Sequence, residues 1–400
     1  MIERCKYDDK ATWKAFNHFL GKQSLKTKIR INLDGNDIDD DYVIANTFNK
    51  YFNQVGILQG DAPDSEFKFR NYLSEAETCT FIFDDITLKE VKGIIQNMNV
   101  YKSTYDVIPL RIFKICPDTV LSQLVELLNS CIKEGIMPNT LKISEIIPIH
   151  KKGSRFQVNN YRPISLLSYI DKILEKAMHR RLNNHLNKIN FFCPNQFGFR
   201  EHHSTEHAIL SLLERAYHAL EVKEWTMLIT IDFQKAFDVI RHDILLYKLF
   251  HIGIKGVIWK WFESYLKDRT HRTLVNGVLS QPLITKTGIP QGSSLGPLLF
   301  LIYINDLKNI FLNNEINIFA DDSALILSCK QIDQLFNLAN RKMFLLMNYL
   351  KANGIKLNEN KTEYMIISPN RSVPIHNMNL AYNNFVIKEV ESIKLMCSLR

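Results

Sequence analysis

Two apolar runs, Ile316–Ile318 and Ala324–Leu327, bracket the tetrapeptide Phe319-Ala320-Asp321-Asp322. Short apolar runs of this kind read as buried strands, so the chain must fold around a strand-turn-strand unit with two adjacent carboxylates at its bend. Like charges that close repel one another, and a cation between them removes the cost. A third run, Leu228-Ile229-Thr230-Ile231, ends in Asp232. Carboxylates at strand ends, two of them contiguous, are the ligand set that a pair of Mg²⁺ ions uses for in-line phosphoryl transfer. An Asp-Asp pair after a strand also suits an ordinary turn. Here, however, no Gly or Asn supplies the usual two-residue hairpin bend.

With 400 residues and 46% hydrophobic content, the chain can bury cores for two or three domains. The formal charge of +8 suits a polyanionic partner. Its distribution says more than its sum. The stretch from His150 to Lys188 holds Lys151, Lys152, Arg155, Arg162, Lys172, Lys176, Arg180 and Arg181 against Asp171 and Glu175. The 7 cysteines are scattered without a C-x-x-C pair, which argues for a reducing compartment and against a disulfide framework. The longest apolar run, Leu298 to Ile304, is too short to cross a bilayer. The expectation is an intracellular protein, nuclear or cytoplasmic, with no membrane.

Periodicity predicts helices around Val43 to Phe52, after a Thr87 cap, from Val120 to a stop at Gly135, from Ser168 to Leu186 and from Ser204 to Leu220. Further helices are expected at His242 to Phe250, Ile254 to Lys267 and Gln331 to Asn353, and Gly60 to Ser65 reads as a loop. Strands are expected at Glu145 to His150, Arg272 to Val278, Leu283 to Thr287, Glu363 to Ile367 and Asn384 to Lys388. This order gives an α+β sheet domain behind a helical, basic one.

Between the carboxylate motifs lies Gly288-Ile289-Pro290-Gln291-Gly292-Ser293-Ser294-Leu295-Gly296-Pro297, a Gly/Pro-rich turn entering a helix. Glycine lets backbone approach a ligand closely. After Asp232 the chain continues Phe233-Gln234-Lys235-Ala236-Phe237-Asp238. If Asp232 binds metal at a strand end, Phe237 presses on a bound sugar where a 2′-hydroxyl would clash. Core packing is the plainer role for that phenylalanine. Cys193, His202, His203 and His207 lie near one another in sequence but fit no standard zinc spacing.

In this order the motifs resemble the reverse transcriptases of non-LTR retrotransposons, closest to the Jockey-like elements. Asn160-Tyr161-Arg162-Pro163-Ile164-Ser165-Leu166-Leu167 and Gln196-Phe197-Gly198-Phe199-Arg200, followed by Ser204-Thr205, are similar to the family's first two fingers motifs. Asp232 to Asp238, Gly288 to Pro297 and Phe319 to Asp322 resemble motifs A, B and C; Gly354 to Asn358 with Lys361-Thr362 resembles motif D. The resemblance implies a right-hand polymerase fold: an N-terminal extension over 1–80, fingers over 81–223 and palm over 224–400. It implies RNA-directed DNA synthesis on an RNA template with a DNA primer, using dNTP and two Mg²⁺. Asp232, Asp321 and Asp322 would hold metal, Arg200 the triphosphate, and Gln291 with Gly292 the sugar side of the nucleotide. Phe237 would exclude ribose, and Lys361 would protonate pyrophosphate. The text after Val390 lacks the family's primer grip, so a missing thumb and weak processive synthesis are expected, with a merely nucleic-acid-binding relic as the alternative.

Overall fold

The computed structural model describes residues 28–33, 35–59, 68–99, 104–106, 108–311, 315–370, 378–382 and 385–395. The expected loop from Gly60 to Ser65 lies outside these residues. Helices and strands are mixed along the chain and the main strand pairs are antiparallel, as in an α+β fold.

A short hairpin of β1 (Ile31–Leu33) and β2 (Asn36–Ile38) precedes helix Asp41–Gln59. Asp40 caps that helix, its carboxylate accepting from the Tyr42 and Val43 N–H groups at 2.8 and 3.0 Å. Ile44, Ala45 and Phe48 pack with Ile31, Tyr161 and Val275, so the helix lies against the sheet built further along the chain.

That sheet joins β3 (Ile143–His150), β4 (Tyr161–Leu166), β6 (Thr270–Val275), β7 (Val278–Leu279) and β8 (Leu283–Ile284). β4 is its edge strand, antiparallel to β3 with Pro148 opposite Pro163. β3 runs parallel to β6 only over Ile143–Ile146. Both prolines therefore sit where a missing N–H costs no ladder bond to a further strand. The sheet takes strands from both sides of residue 224.

The second sheet has the order β12-β11-β5-β10-β9, formed by β5 (Trp225–Asp232), β9 (Ile316–Phe319), β10 (Asp322–Cys329), β11 (Glu363–Ile367) and β12 (Lys388–Glu389). β5 is buried along nearly its whole length, sandwiched between β10 and β11. Helix Gly296–Ile304 is apolar on every side and every residue from Leu298 to Ile304 is buried, the behaviour expected of a core helix. Helix Ile332–Ala352 lays Leu335, Phe336, Ala339, Met343, Leu346 and Leu350 on the same core. Among the described residues no helix is long and apolar enough to cross a membrane.

The expected Thr87 cap and Gly135 stop are in place, and the residues at two further expected helix starts, Ser168 and Ser204, are caps as well. Thr87 accepts from Glu90 N–H, Ser168 from Asp171 and Ser204 from His207, and Gly135 ends its helix at φ 69°. On the basic helix Tyr169–Lys188, Arg181 turns inward. Its guanidinium forms a two-pronged pair with Glu90 at 2.8 Å on both branches, donates to the Asp84 and Asp85 carbonyls, and lies over Phe83. With 11% of its side chain exposed, it serves interhelix packing rather than an external phosphate.

Candidate active site

Strand register brings the acidic residues together. β10 pairs antiparallel with β5 so that Asp322 stands directly opposite Asp232, and with β9 so that Asp322 faces Phe319. Asp321 is carried by the intervening bend, which is made possible by Ala320 at φ 59°. A left-handed alanine costs roughly 1 kcal/mol and persists only where the surroundings dictate it. The surroundings do so here. Residues 195–197 run beside β9, with Ile318 N–H to Asn195 O at 2.9 Å and Phe197 N–H to Ile318 O at 2.8 Å. Gly198 then meets the bend so closely that a Cβ would lie 2.3 Å from Ala320 N.

Burial pushes the Asp321 carboxyl above its ordinary value, and the nearby charges of Asp322 and Asp232 push it further the same way. A divalent cation would reverse all of that. The donors are hard carboxylate oxygens with no sulfur or imidazole among them, which suits Mg²⁺. Among the described residues no three His, Cys, Asp or Glu side chains form a ready-made metal cage. Carboxylates carried on strand ends suit an ion that keeps waters and substrate oxygens in its shell.

Asp232 is held from the far side by the turn after Leu357. Asn358 donates through Nδ2 to Asp232 Oδ1 at 2.9 Å and through its backbone N–H to the Asp232 carbonyl at 2.8 Å. Lys361 donates from Nζ to the other oxygen, Oδ2. The sequence ranks Lys361 as a site residue. It gives Asn358 no role, although its place beside the Phe233–Leu357 bridge fixes its reach to Asp232.

The residues expected on the nucleotide side, Phe237, Gln291 and Gly292, form an adjoining layer. Phe237 stacks on Phe300 with centroids 4.8 Å apart and meets Phe199 edge-on at 6.2 Å. Its carbonyl accepts from Ile289 N–H at 2.9 Å, tying the Gly-rich loop to the segment after Asp232. Gln291 donates from Nε2 to Asp238 Oδ1 at 2.7 Å. Burial drives the Asp238 carboxyl up to about 6, with Gln291 and Lys235 opposing the shift. Gly292 adopts φ 129° and a Cβ there would lie 2.5 Å from Ser165 O, while Ser165 N–H donates to Gln291 O at 2.7 Å. Only glycine allows strand β4 and this loop to meet so closely.

Arg200 is placed differently. Its Nη1 donates to the Cys193 and Gln196 carbonyls at 3.0 and 3.2 Å, and the guanidinium lies 5.0 Å over Phe192. It braces the 193–200 loop that supports the carboxylate bend.

A buried network beneath the Gly-rich loop escaped sequence reading. Glu175 accepts from Tyr265 Oη at 2.6 Å, Ser293 Oγ at 2.6 Å and Ser294 N–H at 2.7 Å. It is wholly buried, which is rare for a glutamate without such partners. Through it, helix Tyr169–Lys188 fixes the start of helix Gly296–Ile304.

Two sheets, a buried central strand ending in Asp232 and a hairpin presenting Asp321 and Asp322 give the fold one focused acidic site. A family model described as reverse transcriptase (RNA-dependent DNA polymerase) matches residues 149–394, and the chain belongs to that family. The RNA-directed DNA polymerase from mobile element jockey of Drosophila melanogaster is 29% identical over 333 residues, 80% of this chain and 36% of that protein. The probable RNA-directed DNA polymerase from transposon BS of Drosophila melanogaster is 31% identical over 289 residues, 69% of this chain and 32% of that protein. The chain thus spans about a third of the length of these relatives. Among solved structures, telomerase from Candida albicans in complex with a fragment of telomeric RNA covers 68% of this chain and 49% of its own, at 14% identity and a TM-score of 0.43. The chain is homologous to non-LTR retrotransposon polymerases, a nucleotidyltransferase family that generally uses divalent metal ions.

Proposed function

We propose that this chain adds deoxynucleotides to a primer 3′-hydroxyl on an RNA template, with Asp232, Asp321 and Asp322 as the ligands of two Mg²⁺ ions. The observation that carries the reading is the register of β5 against β10, which sets Asp232 opposite Asp322 and beside the bend bearing Asp321. When bound, the metals would supply an activated primer oxygen and charge neutralisation for the triphosphate and departing pyrophosphate.

The chain's own residues do the rest. Phe237, held against Phe300, closes the sugar side of the pocket and excludes a 2′-hydroxyl. Gln291, oriented by Asp238, and Gly292 line the same side. Lys361 donates a proton to the leaving phosphate oxygens. Arg200 pairs with triphosphate oxygens after releasing its loop carbonyls. Residues 81–223 serve as fingers and 224–400 as palm, with β6 to β8 joining the fingers sheet; residues 1–80 are an extension whose helix Asp41–Gln59 packs on that sheet. Template phosphates lie along Lys151, Lys152 and Arg162, in an intracellular setting.

The test is single-nucleotide addition on poly(rA)/oligo(dT) with dTTP or UTP. The reading expects dTTP to be added in Mg²⁺, UTP to be strongly disfavoured, and Phe237→Ala to narrow that preference by at least about tenfold. RNA binding without any nucleotide addition would instead identify a binding relic.

A further inference from the structure

Asp232 has both carboxylate oxygens and its carbonyl engaged by one short turn. Asn358 takes Oδ1 and the carbonyl, and Lys361 takes Oδ2. The turn is tied to itself through the same residue: the Asn358 carbonyl accepts from Lys361 N–H at 3.1 Å and from Thr362 N–H and Oγ1 at 3.0 Å. Asn358 thus fixes the carboxylate and also the base of the lysine that caps it. The two contacts differ in kind. Asn358 is a short neutral side chain anchored by backbone bonds. Lys361 is a long cation with 40% of its side chain exposed, free to swing from a surface-facing ion pair.

We propose that Lys361 stands in for a divalent cation on Asp232, and that Asn358 is the positioning residue holding that carboxylate ready for the exchange. The inference rests on the two-metal reading and goes beyond it. The Lys361 ammonium and a divalent ion cannot share one carboxylate oxygen without strong like-charge repulsion, so binding of one expels the other. Lys151 and Arg162 already crowd the neighbourhood with positive charge, which raises the cost of keeping both. A triphosphate gives the expelled ammonium a new anionic partner. Metal and nucleotide binding are therefore coupled: each favours the same swing of one side chain, and the coupling is reciprocal.

The experiment is titration of the purified chain with Mn²⁺, free ion being read by electron paramagnetic resonance. It is done without nucleotide and again with a non-hydrolysable dTTP analogue. Lys361→Met removes the competing cation and is expected to tighten Mn²⁺ binding about two- to fivefold without nucleotide, the range of an exposed ion pair. It should also shrink the gain that the analogue produces. Asn358→Ala, with an unchanged circular-dichroism spectrum, is expected to weaken Mn²⁺ binding, and Lys361→Arg to resemble the unchanged chain. A purely structural turn would move both changes in one direction, so opposite signs support the exchange. Equal or weaker binding by Lys361→Met overturns it. If that occurs while Asp321→Asn still abolishes Mn²⁺ binding, the metal site stands and only the exchange fails. If the unchanged chain binds no more Mn²⁺ than Asp321→Asn, the two-metal reading fails and takes the exchange with it.

Discussion

Asp322 on β10 stands directly across the ladder from Asp232 on β5, with Ser323 opposite Ile231 and Ala324 opposite Thr230 behind them. Two like charges on facing positions of an antiparallel pair cost roughly 0.2–1 kcal/mol, a cost that a bound divalent cation would offset. Replacing Asp322 with Asn removes the repulsion and keeps the shape. The expected outcome is a thermal midpoint raised by a degree or two, in the absence of metal, together with loss of nucleotide addition. Differential scanning fluorimetry in EDTA, paired with a primer-extension assay, checks both halves. A destabilised Asp322→Asn protein would mean that the carboxylate serves the fold.

Asp238 provides a pH signature. Its carboxyl is raised from 3.8 to about 6 by burial, so the folded state holds its proton over a range where the unfolded state has lost it. A raised acid favours the fold least when ionised. The stability lost to this group therefore grows as pH rises from about 4 to about 6 and is constant above. Asp238→Asn keeps an acceptor for Gln291 and has no such term. Chemical denaturation should show the variant gaining on the unchanged chain through that window, by on the order of 1 kcal/mol after allowance for solvent screening. A gap that is flat or closes with rising pH would contradict the assignment.

Glu175 concentrates the support of the Gly-rich loop in one side chain. Truncating it leaves Tyr265 Oη, Ser293 Oγ and Ser294 N–H without their shared acceptor. Glu175→Ala should cost about 3–5 kcal/mol, against about 1 kcal/mol for Tyr265→Phe, which removes a single donor. Urea unfolding of the two variants gives the comparison, and similar losses for both would argue against a shared node.

Two glycines supply a steric contrast. At Gly198 a Cβ would lie 2.3 Å from Ala320 N, whereas at Gly93, inside helix Leu88–Gln96, it would meet nothing within 4 Å. Gly198→Ala must displace the carboxylate bend and is expected to cost about 1–3 kcal/mol and most of the nucleotide-addition activity. Gly93→Ala should stabilise the protein by up to about 1 kcal/mol and leave activity unchanged. Thermal midpoints and single-nucleotide addition rates for the pair decide the matter.

The elements legible in the sequence are those with a local cause. Thr87, Ser168 and Ser204 precede helices and cap them, and Gly135 stops one, because capping depends on a few adjacent residues. The apolar runs ending at Asp232 and flanking Asp321-Asp322 become paired strands for the same reason. Strand β4 was hidden by Pro163, which argues against a strand until its edge position is known. In the sequence Asp171 and Glu175 merely offset part of a basic stretch, yet both are wholly buried. Their partners Arg269, Tyr265 and Ser293 come from 90 or more positions away, and no local pattern announces such distant pairing. Asn358 was overlooked likewise, since its role depends on a bridge 124 residues across the chain, from Phe233 to Leu357.

The most direct test of the central claim is an anomalous-scattering map from crystals of the purified chain soaked in Mn²⁺. The account predicts a peak at roughly 2.0–2.3 Å from oxygens of both Asp232 and at least one of Asp321 and Asp322. A peak held by one of the two strands alone, or none between them, would contradict it.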